Sequence, residues 1–282
     1  SEGNITMLPY EVPLLKALDT KPLPRAFDFR AAGLLFGPAP GGTRCELVVE
    51  VPLKILTFTA DKAANSSHAR LSLITLVKDK TGTVVQRLSK DQPVQVPAEK
   101  LAGLQAGTFT YLEHFVLPAG RYTLETAVSD TEGNRVSTRK SVLLVPVVPG
   151  GVSVSTVALV RRFEPDQTQV DAQNPFAYRN GIITPTLNDV LPGGKDSTVS
   201  IFLVVFPDPK LPEPPKLAIQ YVKEGKVVGR LEPDLPAPDS SGKIAYVASA
   251  SAASMPPGDY EIEAIVKQGG STAVEKTGFT IQ

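Results

Sequence analysis

Apolar and polar residues alternate with a period of two through most of the chain. Around Tyr122 the alternation is unbroken: Tyr122, Leu124, Thr126 and Val128 fall on one face, Arg121, Thr123 and Glu125 on the other. Side chains of an extended strand point alternately to the two sides of a sheet, so this pattern predicts an antiparallel sheet covered on one side. In the first half "CELVVEV", "ARLSLITLV", "GTVVQRL", "GTFTYLEHFVL", "RYTLETAV" and "RKSVLLV" read as strands. The second half repeats the series as "STVSIFLVVF", "KLAIQYV", "GKVVGRL", "KIAYVASA", "DYEIEAIV" and "KTGFTI". Clusters of Gly, Pro, Asp and Asn separate the runs, and "KDKTG", "KEG", "SDTEGN" and "KQGG" are compact hairpin turns. One stretch is helix-like, "VPLLKALDT" at residues 12–20.

The two halves carry the same phrases in the same order. "LPAGRYTLETAV" recurs as "MPPGDYEIEAIV", placing Tyr122 on Tyr260 at an offset of 260 − 122 = 138. "KTGTVVQRL" recurs as "KEGKVVGRL", placing Val84 on Val227 at an offset of 227 − 84 = 143. Ordered matches with so small a drift are what a duplicated domain with altered loops leaves behind, at a period too long for a solenoid. The number and spacing of the strands predict an all-β chain of two tandem antiparallel β-sandwiches, of immunoglobulin or fibronectin type III shape. The expected organisation is an N-terminal arm over 1–24, a first sandwich over 25–146, a linker over 147–152 and a second sandwich over 153–282. Pro146, Pro149, Gly150 and Gly151 mark the boundary. In each copy a Pro and a Gly turn the chain into a strand that a Tyr enters: Pro118, Gly120 and Tyr122, then Pro256, Gly258 and Tyr260. Such a Tyr buries its ring and returns its hydroxyl to the preceding loop, the logic of the tyrosine corner, so these six residues are expected to be structural.

At 282 residues with 42% apolar composition the chain is long enough for two buried cores. Lys plus Arg equals Asp plus Glu at 29 each, so no net field recruits nucleic acid or an anionic membrane. No apolar run approaches the roughly 18 residues that cross a bilayer. Cys45 is the only cysteine, which excludes an internal disulfide, and it shares a face with Leu47, Val49 and Val51 as a buried thiol would. The chain opens on Ser1 rather than Met, as a processed polypeptide would, and Asn4-Ile5-Thr6 and Asn65-Ser66-Ser67 fit the glycosylation sequon.

Several phrases together carry a family resemblance. "LPAGRYTLETAVSDTEGN" followed by "SVLLVP", then "VSVSTVAL", "NGIITPTLNDVLPGG" and "MPPGDYEIEAIV" closing on "GFTI", with "LPRAFDFRAAGLLF" upstream, resembles the region that follows the A-type domain in bacterial VWFA-related proteins, those with a von Willebrand factor A-like domain. The resemblance spans most of the chain and implies a β-sandwich tail of an exported or envelope-associated binding protein, without catalytic residues. The A-type domain is absent. Its metal-dependent adhesion motif, Asp-x-Ser-x-Ser at the end of a strand, is not reproduced by "DSTVS" at 196–200, which has Thr in the middle and precedes its strand. A hard cation needs several converging oxygens, so this is read as a loop.

Other chemistry fares no better. Ser137 to Lys140 matches Ser-x-x-Lys, and "KTG" occurs at 80–82 and 276–278, echoing penicillin-recognising serine enzymes. Those enzymes hold Ser and Lys one helical turn apart, whereas "VSTRKSVLLV" reads as a strand that points them to opposite faces. His68, placed in a polar loop, and His114, in a strand, have no metal-ligand spacing with each other or with Cys45. "SDTEGN" lacks the length and final Glu of a calcium loop. No cofactor, metal or catalytic residue is therefore expected.

The expected role is non-enzymatic: tandem Ig-like domains, exported, that scaffold or assemble a cell-envelope or extracellular complex through protein partners. The Pro-rich loops "FPDPKLPEPPK" at 206–216 and "EPDLPAPD" at 232–239 are stiff enough to present a surface. The arm, with "ITMLPYEVPLL", is too apolar for water and is expected to pack on its own domain or to add to a neighbour's sheet edge, by β-augmentation or self-assembly. The alternative is a carbohydrate-binding or accessory module, against which stand the absence of Trp and the 6% aromatic content.

Overall fold

The computed structural model describes residues 6–148, 150–168 and 170–282. Asn4 of the first sequon and Pro149 of the linker lie outside the described residues. Two compact units result, Ser1–Gly33 with Glu46–Pro146, and Leu34–Cys45 with Val147–Gln282. The division differs from the expected ranges in one segment, because residues 34–45 join the second unit. Phe36 packs edge-on against Phe176 at 5.1 Å, and Leu35 and Thr156 exchange two hydrogen bonds of 2.9 Å.

In chain order the first half forms α1 (Glu11–Asp19), β1 (Arg30–Ala39), β2 (Gly42–Pro52), β3 (Thr59–Asp61), β4 (Ser66–Lys78), β5 (Val84–Pro97), α2 (Leu101–Gln105), β6 (Thr108–Leu117), β7 (Gly120–Asp130) and β8 (Arg135–Val145). The second half adds β9 (Ser153–Val154), β10 (Ala158–Glu164), β11 (Ala177–Tyr178), β12 (Gly181–Thr186), β13 (Val190–Leu191), β14 (Thr198–Phe206), β15 (Lys216–Lys223), β16 (Lys226–Leu231), β17 (Ile244–Ser251), β18 (Gly258–Gln268) and β19 (Ser271–Ile281). One sheet runs β1-β2-β6; a second runs β3-β4-β7-β8 with β5 on β4. In the second unit one sheet runs β11-β12-β10-β14-β17 and the other β13-β19-β18-β15-β16. The two halves of the chain thus carry the same frame, a three-stranded sheet (β1-β2-β6 or β10-β14-β17) and a four-stranded one (β5-β4-β7-β8 or β16-β15-β18-β19). This is the fibronectin type III division of a β-sandwich, built twice.

Register extends the repeat to individual pairs. Ile74 lies opposite Ala127 and Leu76 opposite Glu125, as Ala218 lies opposite Ile265 and Gln220 opposite Glu263. Glu125 pairs with Lys140 at 3.4 Å and Glu263 with Lys276 at 3.3 Å, each directly across its hairpin. The core of the second unit is the inner faces of its sheets, with Ile201, Leu203, Val205, Ile219, Ile262, Ala264 and Val266 essentially inaccessible. Burial of such side chains, at roughly 25 cal/mol per Å² of apolar surface, is what drives the two sheets together.

The N-terminal arm supplies α1. Pro13 falls in the first turn, where its missing N–H breaks no helical bond, Glu11 and Lys16 suit the two ends of the helix dipole, and Leu14, Ala17 and Leu18 recur at helical spacing. That stripe covers Ile74, Leu76 and Ala127 on the outer face of the first unit's larger sheet. Glu11 is anchored there by the Ser89 hydroxyl at 2.8 Å and by Arg87 at 3.4 Å. Of the two placements expected for the arm, the described part shows packing on its own domain. His68, expected in a loop, lies in β4 opposite Thr59 and Gln95, because the β3–β4 turn closes at Asn65, whose φ of 49° an Asn tolerates.

Two outcomes follow. Leu14→Ala leaves a cavity under α1 and lowers the stability of the first unit by about 2–5 kcal/mol in denaturant unfolding. Acid weakens the first unit through Glu125: burial alone would raise its carboxyl, but the Lys78 ion pair at 2.7 Å and the charge of Lys140 outweigh burial and hold it below the usual range. A carboxyl depressed on folding stabilises fully above its unfolded value of about 4.3 and loses that contribution as the pH falls through its lower folded value. Glu125→Gln therefore flattens the decline of melting temperature with acidification below about pH 4.

Candidate binding groove in the second unit

The six residues read as corner residues sit together in each copy. The Tyr122 hydroxyl donates to the Pro118 carbonyl at 2.8 Å, and the Tyr260 hydroxyl to the Pro256 carbonyl at 2.6 Å. Both rings are buried, and Tyr260 also stacks on Phe279 at 5.2 Å. Gly258 enters its strand at φ 139°, a backbone that a side chain would strain. Both hydroxyls are thus committed to the fold.

The residues considered for chemistry lie apart. Ser137 is buried and donates to the Phe27 carbonyl at 2.5 Å, while Lys140 faces Glu125. His68 meets Glu132 at 3.2 Å and His114 lies beside Glu113 at 3.8 Å. Cys45 is fully buried, with its thiol 3.5 Å from the Thr43 carbonyl. Asp196 precedes β14, and among the described residues no group of three or more His, Cys, Asp or Glu converges as metal ligands would. Asp130, the second residue of "SDTEGN", has no accessible surface: it accepts from the Thr57 backbone at 3.0 Å, the Thr57 hydroxyl at 2.8 Å and Arg135 at 3.0 Å. A Cβ at Gly133 would collide with the Asp130 carboxylate and the Thr57 hydroxyl, so glycine is required in that turn.

A concave site instead lies where the second unit departs from the first. Its loop 232–239, the Pro-rich segment singled out in the sequence, forms one wall of a groove of about 690 Å³. The facing walls are Val170, Ala172 and β11, with the first residues of β17 as the third side. β11 and β17 end the same sheet on opposite sides, so a curled sheet brings Tyr178 and Tyr246 to one groove. At Gly181, the first residue of β12, a Cβ would meet the Glu164 carbonyl and the Phe163 ring. Beneath Tyr178 an aromatic series, Phe163, Phe202 and Phe176, fixes the segment that carries it, with centroids 5.9–6.4 Å apart.

Electrostatically the groove is mixed. Asp239 is not available to a ligand, since it closes its own hairpin by accepting from the Ser241 hydroxyl at 2.6 Å and the Ser241 backbone at 2.9 Å. Asp79 builds the same turn in the first unit, with Thr81 at 2.6 Å and 2.9 Å. Lys243 donates to the Ala172 carbonyl at 3.0 Å; burial, helped by Arg44, lowers its pKa against the pull of Asp239 and Asp171. Burial and the neighbouring Tyr178 push the Tyr246 hydroxyl up. Arg179 lies over the Tyr178 ring at 5.1 Å. The result is two tyrosines and two cations beside an apolar wall of Leu235, Pro236 and Ala237. Sequence reading found the Pro-rich wall but not Tyr178, Arg179, Lys243 or Tyr246. Tyr246 within the alternating "KIAYVASA" was the available signal.

No family model and no curated protein matches the chain. Among solved structures it is similar to an ICAM-5 D1–D4 ectodomain fragment, with 14% identity and a TM-score of 0.28 over 90% of this chain and 53% of the fragment. The chain thus spans about half the length of that fragment. It is similar also to the fibronectin(III)-like modules of Clostridium thermocellum CbhA, with 13% identity and a TM-score of 0.21 over 89% of this chain and 93% of those modules.

The Asp130 cluster gives a direct test of structure against ion binding. Asp130→Ala removes the acceptor shared by Thr57 and Arg135 and destabilises the first unit by about 1–3 kcal/mol. Addition of excess calcium leaves the wild-type melting temperature unchanged in the same scan.

Proposed function

We propose that this chain is a non-enzymatic interaction module, a tandem pair of β-sandwiches that docks a protein partner in an envelope or extracellular assembly. The groove walled by residues 232–239 carries the reading. It is walled by residues from two connections of the second unit, the long one between β10 and β14 and residues 232–243 between β16 and β17. The first half of the chain joins the corresponding strands β1 and β2 by a tight turn. A rigid sandwich with one elaborated loop set is the usual way such folds bind, with specificity placed in loops on a fixed frame. Among the described residues no helix is long and apolar enough to cross a membrane. The resemblance of the "LPAGRYTLETAVSDTEGN" and "MPPGDYEIEAIV" phrases to VWFA-related proteins supports an exported location and a role beside a receptor-like domain.

A second reading has one observation in its favour. Tyr178 and Tyr246 line the same groove, and paired tyrosine rings can hold the face of a sugar. A photo-reactive phenylalanine at Tyr246, with Val142 as an exposed control, separates the two in extracts of the native host. A discrete protein adduct formed at 246 and lost on Tyr178→Ala is the expected outcome. Binding on a glycan array that Tyr178→Ala abolishes, with no protein adduct, would replace the protein partner by a glycan.

A further inference from the structure

The two sheets of the second unit end beside one another in strands that pair on one side only among the described residues. β16 closes one sheet and β17 the other. Between them is a cleft of about 330 Å³, lined by Tyr221, Val228, Gly229, Leu231, Ala250 and Met255, with Lys223, Arg230, Ser251 and Ser254 at its edges. Tyr221 is 3% exposed, and its hydroxyl is buried with no hydrogen-bond partner. A buried hydroxyl without a partner costs about 1–3 kcal/mol, so one in a cleft calls for an explanation. Tyr221 lies directly opposite Gly229, whose missing side chain leaves the ring edge open. Next to it Val227 and Val228 are 53% and 57% exposed on the edge strand, an arrangement that natural edge strands usually avoid.

The first unit has the same edge, with its matching Val84 and Val85 46% and 41% exposed, but with one bond added across it. There β5 and β6 are the corresponding strands, and Tyr111 on β6 donates to the Ser89 carbonyl on β5 at 3.3 Å. The chain then covers the ends through residues 98–105. Across from β5, the position matching Tyr221 is Val77, fully buried and apolar, and the position matching Gly229 is Gln86. The second unit has a Tyr and a Gly where the first has Val77 and Gln86, and among the described residues no bond like that of Tyr111 crosses its cleft.

We infer that the β16–β17 cleft receives an extended segment of a protein partner, which pairs with the free edge of β16, inserts an apolar side chain over Tyr221 and places a carboxylate against Lys223. A strand is the occupant that matches both features at once: an unpaired backbone edge takes a backbone ladder, and alternate side chains of that strand reach the cleft. The charge follows from the rim. Its charged residues are both basic, and Arg230 is already paired with Glu232 at 2.7 Å. Lys223 has no carboxylate partner among the described residues; it donates to the Pro257 carbonyl at 2.9 Å and lies 5.3 Å from the Tyr260 ring. This deepens the interaction-module reading and rests on it, but uses a different surface from the groove.

The test is selection of a displayed library of random strand-length peptides on the full chain. A Cβ at Gly229 would sit 3.7 Å from the Tyr221 ring, an ordinary contact, so Gly229→Val fills the cleft mouth without strain. The expected result is a family of peptides with alternating apolar residues and a carboxylate at one position. They bind Gly229→Val at least about tenfold more weakly and lose binding when a ladder position becomes proline. They slow exchange of the β16 amides, and Tyr221→Phe weakens them while raising the melting temperature, since it removes a buried hydroxyl without a partner. No enrichment over an unrelated protein, or enriched peptides that bind Gly229→Val as tightly as wild type, overturns the inference. Tyr178→Ala leaves this binding unchanged, so failure here is separable from failure of the groove reading.

Discussion

A tyrosine hydroxyl held by the carbonyl four residues before it sets the frame of both units. The bond fixes the angle at which β7 and β18 enter, and each of these strands is an interior one, flanked by β4 and β8 or by β15 and β19. Register therefore propagates outward from the corner: once Tyr122 is opposite Leu143 and Tyr260 opposite Phe279, the next eight residues of each strand pair without a slip. A shift of one residue would turn Leu124 and Ile262 out of the core and Glu125 and Glu263 into it. The buried faces on these strands reinforce what the corner begins.

The common frame was legible in the sequence because its signals are local. Period-two alternation marked every strand of the four-stranded sheets, and the Pro-x-Gly-x-Tyr phrase marked the corner twice. β1 was harder to read: "RAAGLLFGPA" contains small residues where a strand usually shows β-branched ones, and its packing value comes from Phe36 against Phe176, 140 residues later. The groove depends on the same kind of distance. Tyr178 and Lys243 meet only through the strand order of a sheet, which no local pattern encodes. Tyr221 and Gly229 are an opposed pair fixed by the β15–β16 hairpin, and the bulge at Tyr221/Val222 makes that pairing hard to count from sequence.

Differences between the copies show how duplication frees one of them to change. In the first unit Ile74, Leu76 and Ala127 form an apolar outer face that α1 must cover. In the second the same register positions hold Ala218, Gln220 and Ile265, and the Glu263–Lys276 pair lies among them. Shrinking Ile to Ala and replacing Leu by Gln removes most of the apolar surface that would need a helix, so the second face is compatible with water. The second unit could therefore give up an arm of its own without exposing a core. The groove and the cleft beside β16 lie on this self-sufficient copy, whereas in the first copy α1 covers the outer sheet face and Tyr111 bonds Ser89 between β6 and β5.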